Sequence, residues 1–184
     1  MWSFSTSPLT WVWGTSVVSR TKTRILKGGT AAIASAMLLA IPFIVDREGE
    51  SLESYRDVVG VWTICHGETA GVKPGQRATK EECQQLTNSR VGQFMTQVQG
   101  MLAVSVAPQT LASHTSFAYN VGLAGYARSM TLRETNKGNI AAGCWAMANW
   151  YTAGGKDCRI RRNGCYGLVT RRKDEINLCL SGLK

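Results

Sequence analysis

The 184-residue chain contains no CxxC pair, no HExxH and no phosphate-cradling glycine loop. Those absences argue against a structural zinc site, a zinc-dependent protease helix and a nucleotide-binding turn. Acidic residues are scarce, 12 against 21 Lys and Arg, which leaves a net charge of +9. Such an excess favours an anionic partner, whether nucleic acid, a membrane surface or a wall polymer, without choosing among them. No groove-reading motif accompanies the charge, so nucleic acid is not expected as a partner. No internal repeat and no low-complexity tail is present, and 44% hydrophobic residues allow a sizeable core.

The charge is unevenly spread. Residues 1–19 carry none, and residues 1–27 hold Arg20, Lys22, Arg24 and Lys27 with no acidic residue. Residues 28–45, GGTAAIASAMLLAIPFIV, are an uncharged run closed by Asp46, Glu48 and Glu50. Its length suits a membrane-spanning helix of ~27 Å. The basic side precedes it, which orients the N-terminus to the cytoplasm and the rest of the chain outward. The run is a poor span, because seven of its residues are Gly or Ala and Pro42 lies within it. No small-x-small cleavage site follows Val45, so an uncleaved export segment is expected. The reading is three-part: a basic tail over 1–27, a membrane segment over 28–45 and a folded domain over 46–184.

Six cysteines, all beyond residue 60, suit up to three disulfides in an oxidising compartment. Six cysteines allow 15 connectivities, and the sequence does not select one. Cys158 and Cys165 lie seven apart in one loop and can pair locally. Cys65 with Cys83 and Cys144 with Cys179 are the pairings expected of the rest.

The domain reads as mostly helical with one small β region. Residues 55–69 mix β-branched, aromatic and turn residues, as a hairpin does. Thr79 and Glu82 form a capping-box signal for a helix over about 79–99. Pro108 suits the first turn of another, running to about Val121. Ile140, Cys144, Met147 and Tyr151 repeat at helical spacing after Gly138-Asn139. A last helix is expected over Leu168 to Leu180, with CRIRRNGC before it as a loop.

The densest candidate for chemistry is Glu48-Gly49 followed by Asp57 and Thr63. A carboxylic acid at a helix end facing a second carboxylate on a hairpin is a workable glycosidase arrangement. Spacing alone does not decide between that and solvated surface charge. His66, beside Cys65, and His114, in an apolar helix with no evident partner, read as structural residues. Arg161, Arg162, Arg171 and Arg172 read either as a solvated basic face or as steering charge. Trp62, Trp145 and Trp150 read as core, with Trp62 alone a candidate to line a cleft.

The same residues resemble the active-site segment of the phage lysozymes, peptidoglycan muramidases. The chain is most similar to lambdoid endolysins with a signal-arrest-release segment. The family pattern is a Glu-Gly, an Asp nine residues after the Glu in Tyr-x-Asp, and a Thr six further on. Glu48-Gly49, Tyr55-Arg56-Asp57 and Thr63 reproduce it. SFAYNVG at 116–122, NKGN at 136–139, WYTAGGK at 150–156 and GLVTRR at 167–172 resemble later landmarks in the same order. Two features depart from the simplest relatives: Cys65 follows Ile64 where many continue Ile-Gly-x-Gly, and the 158–165 insert is longer.

The resemblance implies an α+β, mostly helical, two-lobed lysozyme-like domain. It implies Glu48 as general acid, with Asp57 and Thr63 positioning the attacking water, and Asn120 reaching the sugar cleft. Inversion at the anomeric carbon would set the carboxyl groups ~6.5–9.5 Å apart. No metal or cofactor is expected. The implied partners are peptidoglycan glycan strands and, through residues 28–45, the host inner membrane, followed by release to the periplasm as a monomer. The competing class is a non-enzymatic, membrane-anchored envelope-binding or pore-forming protein. Glu48, Asp57 and Thr63 favour the enzyme, while the 28–45 run suits both.

Overall fold

The computed structural model describes residues 30–47, 49–57 and 60–184. The basic tail, Gly28 and Gly29 of the apolar run, and Glu48 lie outside the described residues.

Helix α1 spans Thr30–Val45. It is followed by an antiparallel hairpin of β1, Ser51–Arg56, and β2, Trp62–Cys65, in which Tyr55 faces Thr63. Helices α2 (Lys80–Met101) and α3 (Pro108–Val121) come next, then the short α4 (Leu123–Ala127), α5 (Met130–Asn136) and α6 (Ile140–Ala146). A second, two-residue hairpin pairs β3, Thr152–Ala153, with β4, Lys156–Asp157. A 3₁₀ turn at Arg161–Asn163 leads into the last helix, α7, Gly167–Ser181.

Local signals explain the long elements. The Thr79 hydroxyl accepts from Glu82 N at 3.1 Å, and the Glu82 carboxylate accepts from Thr79 N at 2.7 Å. This reciprocal cap sets the start of α2 and contributes about 1 kcal/mol. Pro108 occupies the first turn of α3, where its missing N–H costs no hydrogen bond. Gly122, at φ 76°, turns the chain between α3 and α4 in a region that side chains avoid. Helices α4 and α5 carry too few residues for a readable apolar period, and neither is apparent in the sequence pattern.

Helix α3 is the axis of the body. Thr110 to Ala118 are all buried, and α1, α2, α4 and α7 pack around it. Phe117, Tyr126, Met95, Met147 and Ile176 fill the main core. Helices α5 and α6 approach closely because residue 143 is Gly. A Cβ there would lie 2.8 Å from the Thr131 carbonyl oxygen and against the Thr135 hydroxyl. The hairpin has its own small apolar cluster, Ile64 with the Cys65–Cys83 bridge, flanked by Leu52, Val72 and Ala78.

The apolar run differs from its expected form. No helix among the described residues is long and apolar enough to cross a membrane. Helix α1 has 16 residues and lies against α3 and α2, with Ala36, Ala40 and Ile44 fully buried. Small residues on that face let the backbones approach. The opposite face, including Leu38 at 76% exposure and Pro42, is open to solvent.

Three disulfides join Cys65 to Cys83, Cys144 to Cys179 and Cys158 to Cys165. These are the expected pairings. They tie the hairpin to α2, α6 to α7, and the two ends of the 158–165 loop. Each contributes on the order of 2–4 kcal/mol by restricting the unfolded chain.

The expected core position of Trp145 is not observed. Its neighbours Gly143, Cys144 and Ala146 turn inward and Trp145 is 60% exposed. Trp150 does meet the core, edge-on to Phe117. Trp62 is half-buried, with the Arg56 guanidinium over its ring.

Candidate active site

Asp57 follows β1 at the mouth of the hairpin, and Thr63 lies in β2. Both are tied to Val61. The Val61 N–H donates to Asp57 Oδ1 at 2.8 Å, and the Asp57 N–H donates to the Val61 carbonyl at 3.0 Å. The Thr63 hydroxyl donates to the same carbonyl at 3.1 Å. A carboxylate and a hydroxyl are thus held on one short loop, with the Thr63 oxygen still able to accept a hydrogen bond.

A groove of about 700 Å³ runs between the end of α1 and the start of α7. Asp46 and Arg47 line one side, Gly164, Cys165 and Arg171 another, and Asn120 closes the end. A smaller hollow of about 230 Å³ continues past Asn120 and is lined by His66, Arg90, Phe94 and Tyr119. Asn120 is therefore the shared wall of two hollows. Trp62, Asp57 and Thr63 are not among the residues lining either one.

A latch fixes the chain just before residue 48. Arg47 bridges Asp174 of α7 at 2.7 Å, donates to the Phe43 carbonyl at 2.6 Å and stacks over the Phe43 ring. Beneath the groove lies a buried ion cluster. Glu175 is fully buried and meets Arg171 at 3.2 Å, Arg172 at 3.1 Å and the Ser116 hydroxyl at 2.8 Å. Burial raises the Glu175 carboxyl pKa, against the pull of the two guanidiniums. Burial also brings Arg172 down to about 10, while Glu175 acts to hold it up. The expectation of a basic surface at Arg171 and Arg172 is therefore corrected, since both are buried in this cluster. Arg161 and Arg162 are exposed.

Arg172 Nη2 also donates to Asn120 Oδ1 at 2.7 Å. Guanidinium only donates, so the Asn120 oxygen must face it and the amide NH₂ turns away from it. Neither histidine is placed as a nucleophile or ligand. His66 is buried against the Thr87 hydroxyl at 3.0 Å. His114 has a partner after all, the Tyr126 hydroxyl at 2.8 Å, and burial lowers its pKa to about 4. No group of metal-ligating side chains occurs among the described residues.

A family model described as phage lysozyme matches residues 45–175. The chain belongs to the phage lysozyme family. It is 36% identical over 156 residues to the SAR-endolysin of Enterobacteria phage PA-2, covering 84% of this chain and 90% of that protein. It is 35% identical over 158 residues to the SAR-endolysin of Bacteriophage PS119, covering 85% and 90%. The endolysin from Escherichia coli O157:H7 phage FAHEc1 superposes with a TM-score of 0.66 at 28% identity, covering 77% of this chain and 90% of that one.

Within this phage lysozyme fold, sequence reading missed the floor of the groove. Ser116 lies 59 positions from Glu175 and meets it only because α3 and α7 pack. The available signal was an acidic residue three and four positions after two arginines on one helix, which marks a local ion pair but not its burial. Asp174 and the cleft-lining Gly164 gave no signal, and Cys165 signalled a disulfide but not a place in the groove.

Proposed function

We propose that this phage lysozyme is an endolysin that hydrolyses the β-1,4 bond between N-acetylmuramic acid and N-acetylglucosamine in peptidoglycan. Glu48 is the general acid in this reading, and Asp57 with Thr63 holds the attacking water. The observation that carries it is the groove bordered by Asp46 and Arg47, in a chain that retains the family's Glu-Gly, Tyr-x-Asp and Thr pattern. A proton passes from the Glu48 carboxylic acid to the glycosidic oxygen as that bond breaks. Water held at Asp57 and Thr63 attacks the anomeric carbon from the opposite face and yields its proton to the Asp57 carboxylate, which inverts the centre. Asn120 offers its amide NH₂ to the sugar.

Replacing Glu48 with Gln keeps the shape and removes the acid. Lysis of outer-membrane-permeabilised cells should fall by at least 10²-fold or so while the thermal melt stays put. Near-normal lysis would remove Glu48 as the acid. The non-enzymatic alternative is not favoured, because it gives the groove and the Glu48, Asp57 and Thr63 pattern no task.

The same reading assigns residues 28–45 to the inner membrane before lysis, with the N-terminus cytoplasmic, followed by release to the periplasm. Helix α1 supports it by being apolar on every side yet half exposed, which is unusual for a helix at home in water. With Glu48 three residues beyond the run, membrane-held enzyme has its acid at headgroup level and cannot admit a sugar strand. Leu substitutions belong on the exposed positions Ala31, Ala34 and Ser35, since Ala36 is buried and a larger side chain there would overpack the core. The triple variant should stay membrane-bound and delay lysis. Lysis on schedule by demonstrably membrane-bound protein would show that tethering does not control activity.

A further inference from the structure

Asn120 is exposed in the last turn of α3, where the groove and the smaller hollow meet. An exposed asparagine in water turns its amide freely and offers either its oxygen or its NH₂. Here that freedom is removed. Arg172 donates to Asn120 Oδ1 at 2.7 Å, and a flipped amide would set NH₂ against guanidinium N–H, donor against donor.

Arg172 is itself immobilised. Its Nε lies 3.1 Å from Glu175 Oε2, and its Nη2 reaches Glu175 Oε1 at 3.4 Å. Its guanidinium also lies over the Phe117 ring at 4.9 Å. The carboxylate that holds it is anchored in turn by Ser116 of α3 and by Arg171. Asn120 is the one hydrogen-bond partner of Arg172 among the described residues that reaches solvent. Stability alone does not explain this arrangement. Arg172 Nη1 is buried with no hydrogen-bond partner among the described residues, and apolar packing commonly stabilises a core as well as a buried ion cluster does.

We infer that Arg172 is a positioning residue for glycan binding: it locks the Asn120 amide so that its NH₂, and not its oxygen, is presented where the two hollows meet. This rests on the muramidase reading. The site is thereby a fixed donor for an oxygen of the glycan. Its orientation is set before the sugar arrives, so binding does not have to order the amide. Arg172 touches no substrate and acts through Asn120.

The test is a double-mutant cycle in the full-length chain. The unmodified enzyme is compared with Asn120→Ala, Arg172→Lys and the double variant. Lysine keeps a positive charge beside Glu175, but its ammonium lacks the fork that spans Glu175 and Asn120. Digestion of dye-labelled sacculi over a range of concentrations gives KM and kcat. Each single variant should raise KM about fivefold and change kcat less, and the double variant should be no worse than Asn120→Ala. Losses that multiply in the double variant, or an unchanged KM in Arg172→Lys, would overturn the inference. Thermal melts report whether Arg172→Lys folds. If it does not, Asn120→Asp decides: aspartate still accepts from Arg172 but has no NH₂. Its KM should rise at least as far as in Asn120→Ala, and an unchanged KM overturns the inference. The same substitutions in Glu48→Gln, read as dissociation constants by co-sedimentation with sacculi, need no catalysis. If the unmodified enzyme releases no reducing ends, the muramidase reading fails, while that binding series still decides whether Arg172 acts through Asn120.

Discussion

The hairpin and the helical body are held together by different means. The body surrounds α3 with Phe117, Tyr126, Met95 and Met147, and it buries a charged cluster at Glu175. The hairpin has little more than Ile64 and a disulfide. Two strands with so small an apolar face are marginal alone, so a covalent link to α2 substitutes for core. The hairpin is also where Asp57 and Thr63 sit. Asp57 is partly exposed there, while Thr63 is buried. The staple lets the loop that carries Asp57 keep its shape without a large core beneath it.

The comparison can be broken most severely through Glu175. Glu175→Gln leaves Arg172 buried without its carboxylate and should cost on the order of 3–5 kcal/mol, read by urea unfolding. A loss under about 1 kcal/mol would mean that the cluster does not hold the body. Next, Cys65→Ser with Cys83→Ser should cost about 2–4 kcal/mol. Amide exchange should accelerate in β1 and β2 and not in α3. Uniform acceleration would show that the two regions unfold as one.

A smaller effect separates them by pH. His114 is neutral in the fold, with its pKa lowered to about 4 from 6.5. Between those values the unfolded chain binds a proton that the native state refuses, so stability falls as pH falls. From pH 6.5 to 5 the loss is about 1.5 kcal/mol. His114→Gln should flatten that slope in thermal melts at pH 7 and pH 5; an unchanged slope assigns it to other groups. The smallest effect belongs to Arg77, in the segment before α2, which pairs with Glu53 of β1 at 2.6 Å with both side chains largely exposed. Arg77→Ala should change stability by about 0.5 kcal/mol or less. A larger shift would show that the hairpin depends on surface charge as well as on its staple.

What the sequence determined by itself are the features written in adjacent residues. The Thr79–Glu82 cap and Pro108 at the start of α3 are local, whereas the period from Ile140 to Tyr151 outruns its helix, which ends at Ala146. A few torsions and one or two hydrogen bonds settle the cap and the proline turn before any tertiary contact forms. The Glu48, Asp57 and Thr63 spacing is also written in neighbouring residues, but only its resemblance to the phage lysozymes gave it a role. Only the tertiary structure decided that Ala36, Ala40 and Ile44 face α3 while Leu38 meets water, because an all-apolar helix has no polar face to orient it. Only it buried Arg171 and Arg172 and left Arg161 and Arg162 exposed. Four arginines of equal hydrophilicity are distinguished by whether a distant helix brings Glu175 and Ser116 within reach. Burial of charge depends on a partner supplied from elsewhere in the chain, and no local pattern contains that partner.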